Sequence, residues 1–199
     1  MGLLDNLAGS LGTSGIADAI AKHTGADPKT VQNAVAIGMP LLLAALARNA
    51  SSPKGAADLH AAVSTDHAGG NILNNVQGAV QNPNLADGQG ILGHVLGDKQ
   101  GAVQAQIAQA TGMSSDKVGT VLATVAPLVM GALGQAQQNG GLNAGGLAGL
   151  LGNEAASVAQ QHPEMGNLAG VLEGKAGAGA TGGLMQMGEQ MLGKLFGKS

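Results

Sequence analysis

The chain has 199 residues, enough for one domain or two small ones with a real hydrophobic core. It holds 35 Gly, one Phe, no Trp, no Tyr and no Cys, and 11% charged residues against about 25% in an ordinary soluble domain. A net charge of −3 with 9 basic residues argues against a basic phosphate-binding face, zero Cys excludes disulfides and thiolate metal sites, and 44% hydrophobic residues exclude disorder throughout.

Without aromatic rings the core must be built from Ala, Leu, Val and Met, which suits helices that approach closely. Residues 1–14 form an amphipathic segment, with Leu3, Leu4, Leu7 and Leu11 on one stripe. This segment has no basic region followed by a long apolar one, so it does not read as a secretory signal. The expectation is a cytoplasmic location by default, with the cell surface or exterior, reached without a cleaved signal, as the alternative.

A helix is predicted over 15–23, ending at Thr24-Gly25, where Gly25 can take the left-handed cap conformation. Asp27 then caps a new helix and Pro28 fills its first position, where a missing N–H costs nothing. The new helix, "TVQNAVAIGMPLLLAALARNA" at 30–50, is apolar with Pro40 in its middle. Its run without a polar side chain, 34–47, is 14 residues long, short of the roughly 18 expected of a membrane span. Proline removes a hydrogen bond and crowds the carbonyl four residues back, so a kink or break is expected near Pro40. A break at "NASSPKG" and a short helix over 56–63 follow.

The pattern then repeats. Sliding the sequence by 87 aligns 20–47 with 107–134 without a gap, and ten of the 28 positions are identical. Thr24-Gly25 meets Thr111-Gly112, and Pro40-Leu41 meets Pro127-Leu128. A helix over 101–110 ends at Gly112, Ser114 caps the next, and Asp116 favours its dipole. The helix carrying Pro127 is expected to kink or break as its counterpart does. A break at "QQNGGLNAGG" and a helix over 145–161 close the second copy. The organisation is a first repeat at 15–100, a second at 101–173, a Gly-rich tether at 174–183 and an amphipathic helix at 184–199. No segment alternates as a strand does. The expected fold is all-α: a duplicated helical repeat with tight helix-turn-helix corners and Pro-kinked central helices, plus amphipathic terminal helices.

The segment "DGQGILGHVLGD" at 87–98, together with the helix-Pro-Leu pattern, resembles the YidB-like family, a bacterial domain of unknown function (937). The resemblance spans roughly 15–175. It implies an all-helical fold, sometimes described as homeodomain-like, and no activity.

The candidate sites point away from chemistry. Asp58, His60, Asp66 and His67 offer nitrogen and oxygen ligands, but "STDHAGG" reads as a polar loop, and that is the favoured reading. His94 is expected to hydrogen-bond a backbone group. No serine lies in a Gly-x-Ser-x-Gly elbow, and no acidic pair is placed for acid–base work. Neither a catalytic residue, a cofactor nor a metal is expected. The second helix of each corner turns apolar after one lysine, whereas a DNA-reading helix needs a polar outer face. No nucleic-acid partner is expected.

Contact residues are more prominent. Gly141, Gly145 and Gly149 recur every four residues and would form a smooth stripe on a helix, with a partner helix of the same chain favoured over another subunit. In the last segment Leu184, Met187, Met191 and Leu195 share a face, with Phe196 beside it. Its tether leaves it able to dock on protein, while two lysines make a membrane surface the weaker partner. Gly25, Pro40, Gly112 and Pro127 are read as structural. The expected function is a non-enzymatic structural protein that self-associates, with head-to-tail growth into a filament or other homopolymer as the form considered. The alternative is a soluble adaptor that binds a protein partner or membrane surface through its C-terminal helix.

Overall fold

A computed structural model describes residues 14–65 and 68–161, and among these there is helix and no strand. In chain order the elements are α1 (Ser14–Thr24), α2 (Pro28–Asn49), α3 (Pro53–Thr65), a 3-10 segment (Ala68–Asn75), α4 (Val76–Gln81) and α5 (Leu85–Leu96). A 3-10 turn (Gly97–Lys99) leads into α6 (Gln100–Thr111), α7 (Ser115–Gly140) and α8 (Ala144–Gln161). The two breaks after the long helices are only residues 50–52 and 141–143, shorter than their polar composition suggests.

The two corners are built alike. Gly25 has φ 59° and Gly112 φ 74°, the left-handed conformation that a side chain disfavours. The preceding threonines back-bond to their own helices, Thr24 Oγ1 donating to the Ile20 carbonyl at 3.0 Å and Thr111 Oγ1 to that of Ile107 at 2.7 Å. Three residues then lead to the next helix. Asp27 Oδ1 accepts from the Lys29 and Thr30 amides at 2.9 and 3.3 Å, and Pro28 starts α2. Ser114 occupies the same place before α7, but its hydroxyl makes no capping bond, so this cap is weaker than expected. The corners touch: Lys117 Nζ donates to the Gly25 carbonyl at 3.0 Å.

Neither proline breaks its helix. α2 runs unbroken through Pro40 and α7 through Pro127. Residues 38–43 of α2 and 121–134 of α7 are buried in unbroken runs through the prolines, so neighbouring helices hold the chain helical where an isolated peptide would open.

α7 is the central element. Residues 121–134 are buried without exception, and α2, α3, α5, α6, α1 and the 3-10 segment all pack on it. α2 lies beside it, and each long helix also meets the other corner's first helix, α6 against α2 and α1 against α7. One continuous core runs from Ile16 to Leu151, crossing residue 100 without interruption. α2 and α7 are long and apolar enough to cross a membrane, a point that counting uninterrupted apolar residues misses. However, 89% of the most apolar window of α7 and 56% of that of α2 are buried within the protein.

Glycines set the spacing around α7. A Cβ on Gly88 of α5 would collide with the Ala123 carbonyl of α7, and one on Gly131 with the Ile72 side chain. Gly38 of α2 sits against the end of the Leu122 side chain, which occupies the space a Cβ would need. The Gly88 contact joins two features of the sequence. Pro127 has no N–H to donate to the carbonyl of Ala123, four residues back. Gly88 presents a Cα–H to that carbonyl, in the direction where any other residue would carry Cβ, a weak C–H···O contact.

Two substitutions in α5 separate close approach from helix propensity. Gly88→Ala should destabilise the protein by about 2 kcal/mol or more, because helix backbones must separate. Gly93→Ala, whose Cβ would meet nothing within 4 Å, should stabilise it by about 0.5–1 kcal/mol. Urea unfolding followed by circular dichroism measures both.

Candidate functional site

A cleft of about 730 Å³ lies between the end of α2, α3, α5 and Met130 of α7. That volume is in the range of small-molecule sites. Leu46, Leu59, Ile91 and Met130 supply an apolar lining, while Lys54, Asp58, Asp87 and His94 supply polar groups. On α5, Asp87, Ile91 and His94 follow i, i+4, i+7 spacing and share a face. On α3, Gly55, Asp58, Leu59 and Ala62 do the same.

Two contacts join the elements that line the cleft. Asn49 Nδ2 donates to the carbonyls of His94 and Val95 at 3.2 and 3.0 Å, tying the end of α2 to the last turn of α5. Gly55 lies so close to the Asn49 carbonyl that a Cβ there would collide with it. The Gly55 amide also donates to Ser52 Oγ at 3.0 Å, which caps α3. On the rim Lys54 Nζ meets Asp58 Oδ2 at 2.6 Å, an exposed i,i+4 pair worth a few tenths of a kcal/mol, about the usual value. Just outside, Lys99 beside the exposed Asp98 holds its carboxyl below the usual range.

The histidines take roles that the sequence assigns only in part. Among the described residues the His94 carbonyl, not its ring, is the group that hydrogen-bonds, and His94 is exposed on the cleft rim. His60 lies on α3, where its Nε2 meets Gln137 Nε2 of α7 at 2.8 Å. His23 Nε2 lies 2.8 Å from the Gln81 carbonyl and ties α1 to the end of α4. Asp66 and His67 lie outside the described residues. No group of three or more His, Asp and Glu side chains that could hold a metal occurs among the described ones. The cleft offers an apolar floor with a charged rim, an arrangement that holds an apolar side chain or a small amphipathic molecule.

The glycine stripe is corrected in two respects. Gly141 is not on the helix; it is the left-handed cap of α7, at φ 58°. Gly145 and Gly149 do lie on α8, but on its exposed face, and no described helix packs there. A Cβ on Gly149 or Gly152 would meet nothing within 4 Å. The opposite face, with Leu147, Leu151, Glu154 and Val158, is buried, where α8 packs on α2 and α3. Leu3, Leu4, Leu7, Leu11, Leu184, Met187, Met191, Leu195 and Phe196 lie outside the described residues.

The cleft itself escapes sequence reasoning. The α5 face is visible as a periodicity, but its pairing with α3 depends on a contact between segments about thirty residues apart.

A family model described as a bacterial protein of unknown function, DUF937, matches residues 5–136. It takes in most of the N-terminal segment and ends within α7, whereas the motifs alone suggest about 15–175. No curated protein and no solved structure matches the chain.

Asn49→Ala removes both bonds to the end of α5. It should cost about 1 kcal/mol, the net worth of exposed hydrogen bonds. Chemical denaturation of the variant beside the parent chain checks this.

Proposed function

The chain belongs to the bacterial family DUF937, and on that premise we propose a non-enzymatic structural protein that associates with itself, head-to-tail into a filament or other homopolymer. The observation that carries this reading is the exposed face of α8. Gly145, Gly149 and Gly152 lie there with Ala156 and Ala159. An interior helix glycine costs about 1 kcal/mol relative to Ala, and an exposed one recovers nothing by packing. A helix backbone of a second copy can approach such a face closely, as neighbouring helices do around Gly88 and Gly131.

The core is read as a duplicated unit, α1–α2 and α6–α7, related by a rough twofold axis and bent at Pro40 and Pro127. The matched corners and the reciprocal packing of α1 on α7 and α6 on α2 support this. Two related halves offer two related surfaces, and a contact between unlike ones need not close. The amphipathic ends at 1–14 and 184–199 would add contacts along such a polymer. Its location is proposed as cytoplasmic, with the cell surface or exterior as the alternative. A second reading is an adaptor, and the cleft favours it: an apolar floor ringed by Lys54, Asp58 and Asp87 suits a protein partner's amphipathic segment.

Light scattering of the purified chain over a wide concentration range, with negative-stain imaging, tests the first reading. The mass should rise with concentration and polymers should appear. Gly149→Leu should abolish the growth while keeping the helical spectrum and leaving the unfolding midpoint no lower, since its side chain would enter open space and the helix gains propensity. A monodisperse monomer throughout contradicts the proposal.

A further inference from the structure

The cleft between α2, α3 and α5 combines an apolar floor with an unbalanced charge, and the combination selects a class of ligand. Leu46, Leu59 and Met130, from three different helices, are the buried part of its lining. Of the charged groups in the lining, Lys54 Nζ is taken up by Asp58 Oδ2 at 2.6 Å, so these two cancel. Asp87 is different: it has no ion-pair partner among the described residues. Its backbone amide donates to Asn84 Oδ1 at 3.2 Å, so the cap of α5 is made by Asn84 and the Asp87 carboxylate is not used for it.

The dimensions are those of a small ligand. Asp87 and His94 stand two turns apart on α5, with Ile91 between them on the same face. That is about 10 Å along the helix axis, roughly the length of an extended eight-carbon chain. The walls are set before any ligand arrives. Asn49 ties α2 to the His94 and Val95 carbonyls, and Gly55 brings α3 close to the Asn49 carbonyl. Small-molecule sites are usually preformed in this way. Met130 on the floor adds a side chain that adapts readily to the shape of an apolar group.

We propose that the cleft binds a small amphipathic amine, a primary ammonium group on an apolar tail. The ammonium sits at Asp87, and the tail runs past Ile91 over Leu46, Leu59 and Met130. A carboxylate head on the same tail is disfavoured, because Lys54 is already paired and Asp87 repels it. An uncharged head gains only the burial of the tail. The inference goes beyond the polymer reading and stands apart from it, since no α8 residue lines the cleft. It also differs from the adaptor reading, in which a protein segment is the occupant. The two-turn length of the α5 face and its single unpaired charge favour the smaller ligand.

Titration of the full chain at neutral pH with octylammonium, octanol and octanoate, followed by amide chemical shifts, tests this. Octylammonium should bind saturably with a Kd at or below about 1 mM, within reach of so small a molecule. The shifts should centre on Asp87, Ile91 and Val95. Octanol should bind about fivefold more weakly and octanoate more weakly still. Asp87→Asn, which keeps the shape of the side chain, should weaken the amine about fivefold and leave octanol unchanged. Gly90 lines the same cleft, and a Cβ there would meet nothing within 4 Å. Gly90→Leu should therefore fill the cleft without unfolding the chain and weaken amine and alcohol alike by about tenfold or more. No saturable binding of octylammonium up to about 10 mM overturns the proposal and leaves the cleft to a protein segment. Equal affinity for octylammonium and octanol overturns it too. So does an Asp87→Asn or Gly90→Leu variant that binds the amine as well as the parent chain does.

Discussion

The structure depends on the close approach of backbones to α7. With one Phe and no other aromatic residue, the core has few bulky side chains to span a gap between helices. Its helices must therefore come together until small residues touch. Gly88 against the Ala123 carbonyl is the tightest such contact, and Gly131 under Ile72 and Gly38 under Leu122 are others. Proline at 127 belongs to the same arrangement, because it leaves the Ala123 carbonyl without its helical donor at the place where α5 arrives. Dispersion falls steeply with distance, so a packing built this way gains much from each close contact and is damaged by a single methyl group.

The same constraint produces an asymmetry. α7 is enclosed by six elements, whereas α2 keeps one face half open, although the two helices share Pro-Leu, their corner chemistry and their place beside each other. The cleft sits where the end of α2 meets α3 and α5, so the less enclosed helix borders it. Surface available for binding is thus concentrated on the α2 side and on the outer face of α8. The α7 side is committed to stability.

Much of the fold is legible in the sequence where local chemistry decides it. Asp27-Pro28 announces the start of α2, and Thr-Gly announces the ends of α1 and α6, because caps involve residues only a few positions apart. Pro40 and Pro127 mislead in one respect. A break follows from proline's own chemistry, while the uninterrupted helix follows from neighbours that no local pattern reveals. Ser114 likewise has the right identity for a cap but not the hydrogen bond. The glycines divide in an instructive way. Regular spacing draws the eye to Gly141, Gly145 and Gly149, one of which is a cap while the other two face outward. Gly38, Gly88 and Gly131, with no shared spacing, are pressed against segments distant in the chain, since close contact between such segments leaves no periodic mark. The cleft is hidden for the same reason, and the Leu and Met residues assigned to the two ends lie outside the described residues.

The role given to Pro127 is the central claim, and unfolding free energies of Pro127→Ala and Pro40→Ala test it most directly. Helix propensity alone favours either replacement by up to about 3 kcal/mol, because the missing N–H returns. If α5 needs the freed Ala123 carbonyl, Pro127→Ala should give no gain or a loss. Pro40→Ala should be the more stable of the two variants, since Ala36, whose carbonyl would regain the bond, is exposed. Equal stabilisation by the two substitutions would contradict the account.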